Sequence, residues 1–416
     1  MSDNPVAKIS RTAWMNADET LTVMMALCGG TDDKGDEARF VGGCVRDAVL
    51  NIKAYDVDIA CVFEPQEVTR RLKSAGIKAV PTGIDHGTVT AVVNDATFEI
   101  TTLRHDIKTD GRHAVVRFTE EWREDARRRD FTMNALYCNV RGEVYDYFNG
   151  LEDAHKGIVR FIDDADKRIQ EDYLRILRYY RFSAHYADLK KMDLGARQAC
   201  AKYAEKLNGI SAERIQIETL KLLNARQADK LWGLMLDDGV VDVILPQAKN
   251  IHALQNMIAL EAGLESPAYN IRRLAALIGF DINAARQVAE GLKLSNDNRD
   301  MLIILCDRDA KISAGVSETE LRKAVYFSDI DIVRSRILMD AAADNKNAED
   351  IRPAYEFVTR IRLPEFPIRG QDLIDRNVKK GAGLGRILKE VESWWIEQDF
   401  KPGRSESLKK LEALIA

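Results

Sequence analysis

The sequence predicts an α+β head, a small mixed sheet with helices, followed by a mainly all-α C-terminal half. Three observations carry this. Short β-type runs separated by turn residues are confined to the early part of the chain. From about residue 163 the strand signals vanish and helical periodicity dominates. Gly150 and Gly157 punctuate the change, which places a boundary near 150–165.

In chain order, residues 12–29 read as an amphipathic helix ending at Gly29-Gly30, with a polar loop after it. A β-type start, Phe40-Val41, then runs into Gly42-Gly43. A short helical run carries Arg46 and Asp47, and the strand-like YDVDIA follows at 55–60. Period two sends Asp56 and Asp58 one way and Val57 and Ile59 into the core. The two acids have Cα atoms roughly 6.6 Å apart, so their carboxylates can converge on one divalent ion. Oxygen-only ligands suit Mg²⁺. A lone D-x-D also fits an exposed strand end. Glycine backbone N–H groups can approach a phosphate, and Arg46 can add a fork of donors.

Pro65 opens a helix to about residue 75, with Gly76 as its stop. Three β-like runs follow at 78–80, 88–93 and 97–102, with hairpin chemistry at Asn94-Asp95. Glu99 shares a face with Thr97 and Thr101, either as a third acid beside Asp56 and Asp58 or as a solvent-face residue on an edge strand. Residues 105–117, HDIKTDGRHAVVR, show no period and read as a mobile loop. In 124–137, EDARRRDFTMNALY, Asp130 adjoins Arg129 and can hold it in place. In 171–182, EDYLRILRYYRF, Asp172, Arg175 and Arg178 step along a helix by threes over about 120°, and Arg181 falls on the opposite side from Asp172. A carboxylate accepting from an exocyclic amine, beside a guanidinium donating to a ring nitrogen, fits cytosine and adenine and mismatches uracil and guanine. The plainer reading of Asp172 and Arg175 is an i, i+3 surface ion pair. Residues 211–223 read as an N-capped helix with Glu213, Arg214 and Glu218, as structural support first and with a ligand role for Arg214 second. At 366–391, Gly381, Gly383 and Gly385 break the chain between two helices, and local positive charge suits a phosphate backbone.

Formal charge is −5 with a pI of about 5.9, so a nucleic-acid partner is not announced globally and any RNA contact has to come from a local basic surface. Six scattered cysteines without a C-x-x-C pair favour buried thiols in a reducing cytosol. No signal peptide or membrane span is visible, and a cytoplasmic protein is expected. Residues 226–416 hold only His252, which argues against a fused HD-type phosphohydrolase.

The spacing G-G-x-V-R-D to D-V-D at 42–58, the block R-R-D-F-T-x-N-A at 128–135 and E-D-x-x-R-x-x-R-x-x-R at 171–181 come in one order. Together they resemble the class II tRNA nucleotidyltransferases, the CCA-adding enzymes, and their relatives the bacterial poly(A) polymerases. The resemblance implies a nucleotidyltransferase palm using two Mg²⁺ ions on Asp56 and Asp58, with Glu99 near them. It implies that Gly43, Arg46 and Arg129 hold the triphosphate, that Asn134 lies near the ribose, and that Asp172, Arg175, Arg178 and Arg181 bind the incoming base. It implies domains over 1–150 (head), 151–225 (base-selecting neck) and 226–416 (tRNA-binding body and tail). The implied partners are the acceptor arm and 3′ end of tRNA, with CTP and ATP; no membrane and no DNA are expected. A poly(A) polymerase, a CC-only or A-only enzyme and a catalytically dead RNA-binding scaffold are the alternatives, and a loop at 105–117 favours full C-C-A addition.

Overall fold

The computed structural model describes residues 4–28, 37–54, 56–109, 114–309, 312 and 315–415. The chain divides into two compact units, Met1–Pro246 and Gln247–Ala416.

In the first unit, eight strands form one mixed sheet: β1 (Ala7–Lys8), β2 (Ala38–Val41), β3 (Asp58–Cys61), β4 (Lys78–Gly83), β5 (Thr88–Val93), β6 (Ala96–Thr102), β9 (Leu136–Cys138) and β10 (Glu143–Asp146), in the order β1-β10-β9-β2-β3-β6-β5-β4. Among the described residues, only β3 and β6 pair in parallel, joining Asp58 to Glu99 across the ladder. That crossover runs through a helix and a hairpin, as a parallel pair requires. Glu99 therefore sits on an interior strand between β3 and β5, not on the edge strand its sequence also allowed. The strand read from residue 55 begins only at Asp58, and Tyr55 lies outside the described residues.

Period two holds within the sheet. Phe40, Ile59 and Ile100 pack into one core layer together with Val57, Val68 of α3 (Pro65–Ser74) and Leu27 of α1 (Asp18–Cys28). Val41 and Ala60 face the other way, onto Trp122 and Ala126 of α4 (Trp122–Arg127). Asp58 shares the face of Ala60 and so points toward the side that α4 covers. Arg39 is fully buried, with its guanidinium between the rings of Trp122 and Tyr145 at 4.2 and 3.6 Å. Between β2 and β3, α2 (Gly43–Val49) begins after Gly42, whose φ of 76° and ψ of −124° suit only glycine.

The described residues of 105–117, namely 105–109 and 114–117, are strand and not loop. β7 (Arg104–Thr109) and β8 (Ala114–Phe118) form a two-stranded antiparallel ribbon outside the main sheet, with a register shift between Asp106 and Lys108. Residues 110–113 of the stretch read as a loop lie outside the described residues.

After β10 the first unit is helical: α5 (Gly150–Lys156), α6 (Ala165–Glu171), α7 (Arg175–Tyr186), α8 (Leu194–Lys202), α9 (Ala212–Leu223), α10 (Ala228–Asp237) and α11 (Val240–Ile244). The helix read across 171–182 is in fact two. Asp172, with φ −157° and ψ 105°, ends α6, and α7 starts three residues later. All six cysteines are buried and none is in a disulfide.

Among the described residues, the elements of the second unit are all helices, from α12 (Ile251–Gly263) to α21 (Arg404–Ile415). Glu261, 2% exposed, accepts from both Arg272 (2.6 Å) and Arg273 (2.8 Å), so its burial is matched by two guanidinium groups. Gly381 precedes the helix Ala382–Glu397, whereas Gly383 and Gly385 lie inside its first turns rather than between helices. Among the described residues, no helix is long and apolar enough to cross a membrane.

Candidate active site

One cavity of about 500 Å³ in the first unit collects most of the residues singled out from sequence. Gly42, Gly43, Arg46, Asp58 and Arg129 line it from the sheet side; Asp172, Arg175, Arg178, Arg181 and Arg214 line it from the helices. Six arginines against three aspartates make its walls cationic. Asp56 and Glu99 are not among those walls. They stand beside Asp58, Glu99 as its partner in the parallel ladder.

Burial raises the pKa of Asp58, and the Glu99 carboxylate raises it further; the Arg129 guanidinium opposes this, and Asp56 adds to the rise. The three carboxylates thus repel one another at the end of β3. Nucleotidyltransferases of this kind use divalent metal ions. Carboxylate oxygens set side by side fit such a hard cation. Among the described residues, no group of three His, Cys, Asp or Glu side chains is already drawn together as a metal cage.

Arg129 is held differently from the sequence expectation. Its partners are Asp125 at 3.1 Å and the Tyr137 hydroxyl at 3.2 Å, not Asp130. The chain turns out of α4 between 128 and 130, which sends the neighbouring carboxylate away from Arg129. Asp130 instead accepts from Arg178 (2.7 Å) and from the Asn134 amide (3.0 Å). Asp125 was missed by the sequence reading. The signal was there: it stands at i−4 to Arg129 in a helical stretch.

Asp125 is 1% exposed and accepts from Arg128 (2.8 Å), Arg129 (3.1 Å) and Tyr137 (2.7 Å). Burial alone would push its pKa up; Arg128 and Arg129 outweigh that and, with the Tyr137 hydrogen bond, hold it at about 2, below the ordinary 3.8. The stability this charge contributes, about 2 kcal/mol, is complete above pH 4 or so and is lost as pH falls toward 2. Asp125→Asn is expected to lose about 3–5 kcal/mol at neutral pH, because two guanidinium groups lose their buried counter-charge. Urea denaturation of both proteins from pH 7 to pH 2 checks this. The variant's stability should fall less steeply below pH 4, and an unchanged midpoint at pH 7 would contradict the account.

Arg46, 6% exposed, has its donors engaged by Asn134 (2.6 Å), Tyr186 (2.6 Å) and Asp47 (2.9 Å). It joins α2 to α7 and fixes the Asn134 amide, more than it offers a free fork to a phosphate. Asp172 and Arg175 do not pair with each other. Asp172 accepts from Arg214 at 2.6 Å and from the Leu174 N–H at 3.1 Å, while Arg175 donates to Glu171 (2.5 Å) and the Arg168 carbonyl (2.7 Å). The i, i+3 surface pair is therefore ruled out, and Arg214, read as a brace, reaches the cavity. Arg181 also reaches it, because α7 starts at 175 and the angular count from Asp172 does not apply. Its guanidinium pairs with Glu218, 5% exposed, and lies 4.2 Å over the Phe182 ring.

A mixed sheet with acids at the end of its parallel pair, facing an arginine-rich helical wall, defines a nucleotidyltransferase. Residues 38–160 match the family model described as the poly A polymerase head domain, and residues 191–251 match one described as a probable RNA and SrmB-binding site of polymerase A. Zebrafish (Danio rerio) mitochondrial CCA tRNA nucleotidyltransferase 1 is 33% identical over 384 residues, 90% of this chain and 87% of that protein. The CCA-adding enzyme of Limosilactobacillus fermentum is 30% identical over 379 residues, covering 89% and 92%. The crystal structure of the Bacillus stearothermophilus CCA-adding enzyme in complex with CTP superposes with a TM-score of 0.72 at 25% identity, over 95% of this chain and 97% of that one. This chain belongs to the family of tRNA nucleotidyltransferases that contains the CCA-adding enzymes.

Proposed function

We propose that the protein adds C, C and A to the 3′ end of tRNA from CTP and ATP without a nucleic-acid template. The observation that carries this is one cavity shared by an acid-bearing sheet end and a base-sized polar wall. Asp58 stands on one side; Asp172 and Arg175, each engaged elsewhere and not with each other, stand on the other. The 3′-hydroxyl oxygen of the tRNA attacks the α-phosphorus, the bond to pyrophosphate breaks, and the hydroxyl proton leaves to solvent. Asp56 and Asp58 would hold two Mg²⁺ ions, with Glu99 beside them; such ions supply the charge that activates the hydroxyl and neutralises the departing pyrophosphate.

The other steps fall to this chain. Arg129, oriented by Asp125 and Tyr137, and the Gly43 backbone hold the triphosphate, with Arg46 fixing Asn134 beside the sugar. Asp172 accepts the exocyclic amine of C or A, and Arg175 donates to the ring nitrogen. Arg178 and Arg181, anchored by Asp130 and Glu218, add positive charge above the base and phosphates. We assign residues 1–150 to the head, 151–225 to the base-selecting neck and 226–416 to tRNA binding. Six buried cysteines with no disulfide between them support a reducing compartment, the cytoplasm.

The test is the product. The protein with Mg²⁺ and a tRNA ending before C-C-A is given CTP, ATP, both, or UTP and GTP, and the 3′ ends are sequenced. Exact C-C-A followed by a stop is expected. Long A-tails would make it a poly(A) polymerase, C-C alone would direct attention to the 104–118 ribbon, and no addition would leave an RNA-binding scaffold.

A further inference from the structure

A second cavity, of about 510 Å³, lies in the first unit where the end of α5 meets the end of α7 and the start of α10. Its walls carry Lys156, Lys190, Lys191, Arg226 and Lys230, with His155, against one acid, Asp188. This concentration stands out in a chain with 61 Lys and Arg against 66 Asp and Glu. Lys156 is paired with Glu152 at 2.5 Å and Lys191 with Asp188 at 3.1 Å. Lys190, Arg226 and Lys230 have no ion-pair partner among the described residues and are exposed.

The framework under these charges is tightly tied. Gly157, at φ +67°, accepts from the Asp188 N–H at 2.8 Å, and a Cβ on Gly157 would come within 2.8 Å of that nitrogen. The Gln227 amide donates to the Ala187 carbonyl at 2.9 Å, which fixes the α10 end to the same turn. Tyr186 forms part of the wall, and its hydroxyl accepts from Arg46 at 2.6 Å. Arg46 in turn lines the nucleotide cavity. The two cavities are therefore linked through two touching side chains, Tyr186 and Arg46.

We propose that this basic cavity is a docking site for backbone phosphates of the RNA substrate, outside the nucleotide cavity. The inference rests on the reading of the protein as an enzyme acting on tRNA. A protein of net negative charge gains affinity for a polyanion only through local clusters that displace condensed counterions. The walls offer cations on a rigid base but no large exposed apolar anchor of the kind a protein partner needs. The ligand chemistry, phosphate oxygens, is shared by RNA and by free pyrophosphate; closeness to the site of chain growth and the spread of three unpaired cations favour a strand.

The experiment compares full-length wild type with Lys190→Ala/Arg226→Ala/Lys230→Ala and with a control of equal charge loss, Lys8→Ala/Lys73→Ala/Lys78→Ala, on exposed head residues. Fluorescence anisotropy measures binding of a tRNA lacking C-C-A from 50 to 250 mM salt. The cavity variant should bind about tenfold or more weakly near 0.15 M, and its slope of log affinity against log salt should be shallower by about one for each phosphate no longer neutralised. The control should stay near wild type, and thermal unfolding of all three should coincide. Equal losses in both variants, or none in either, would overturn the proposal. Unchanged tRNA affinity with weakened pyrophosphate inhibition would overturn it in favour of a free-anion site. Failure of the wild type to add C-C-A at all would instead count against the functional reading.

Discussion

Asp58→Asn should lower the single-turnover rate of nucleotide addition by about 10³-fold or more, some 4 kcal/mol of transition-state stabilisation, while tRNA binding changes little. The backbone of Asp58 pairs with Val41 and Glu99 on either side, so the amide variant keeps its ladder and its place. What it loses is the half-buried charge at the end of the parallel pair. Stability supplies the second readout. Burial and the Glu99 carboxylate raise the Asp58 pKa, so at neutral pH its ionised form disfavours the folded state. Removing that charge should leave the thermal midpoint equal or higher. A variant that is both inactive and clearly less stable would point to a structural carboxylate. One that keeps its rate would remove Asp58 from the chemistry.

Much of this site was legible because each of its blocks is local. The glycine pair, Arg46 and D-x-D fall within seventeen residues of sequence, and the head's β-runs at 78–80, 88–93 and 97–102 appear where the turn residues put them. Partnerships across elements were not legible. A parallel pair such as Asp58 and Glu99 leaves no hairpin signature, so the sequence left Glu99 open between a third acid and an edge-strand residue until the ladder placed it beside Asp58. Arg129 went to Asp125 rather than to the adjacent Asp130, because neighbours in a turn diverge whereas i and i+4 on a helix converge. The ribbon at 104–118 was read as a loop because a two-stranded ribbon outside the main sheet need not alternate apolar and polar residues, and its register shift disrupts the period further. The break at Asp172 was invisible because the flanking residues are good helix formers, and this break lets Arg181 reach the cavity alongside Arg175 and Arg178.

That break also frames the second large effect. Because Asp172 lies between two helices, its carboxylate is positioned from outside its own helix: Arg214 holds one oxygen and the Leu174 N–H the other. Each oxygen keeps a lone pair for an exocyclic amine. Asp172→Ala should therefore lose selection rather than binding alone. The preference for CTP over UTP, taken as the ratio of kcat/KM values, should fall by about 10²-fold or more, since a polar site rejects a mismatched edge by leaving buried groups unpaired. Arg214→Ala should give a smaller loss, about tenfold, by freeing Asp172 to swing toward Arg175. If Arg214 acts through Asp172, the double variant should be no worse than Asp172→Ala, the non-additivity expected of two groups that touch. Single-addition kinetics with all four nucleotides measure each effect. An equal fall for all four would show Asp172 supporting the fold of the wall and not reading the base, and additive losses would separate Arg214 from it.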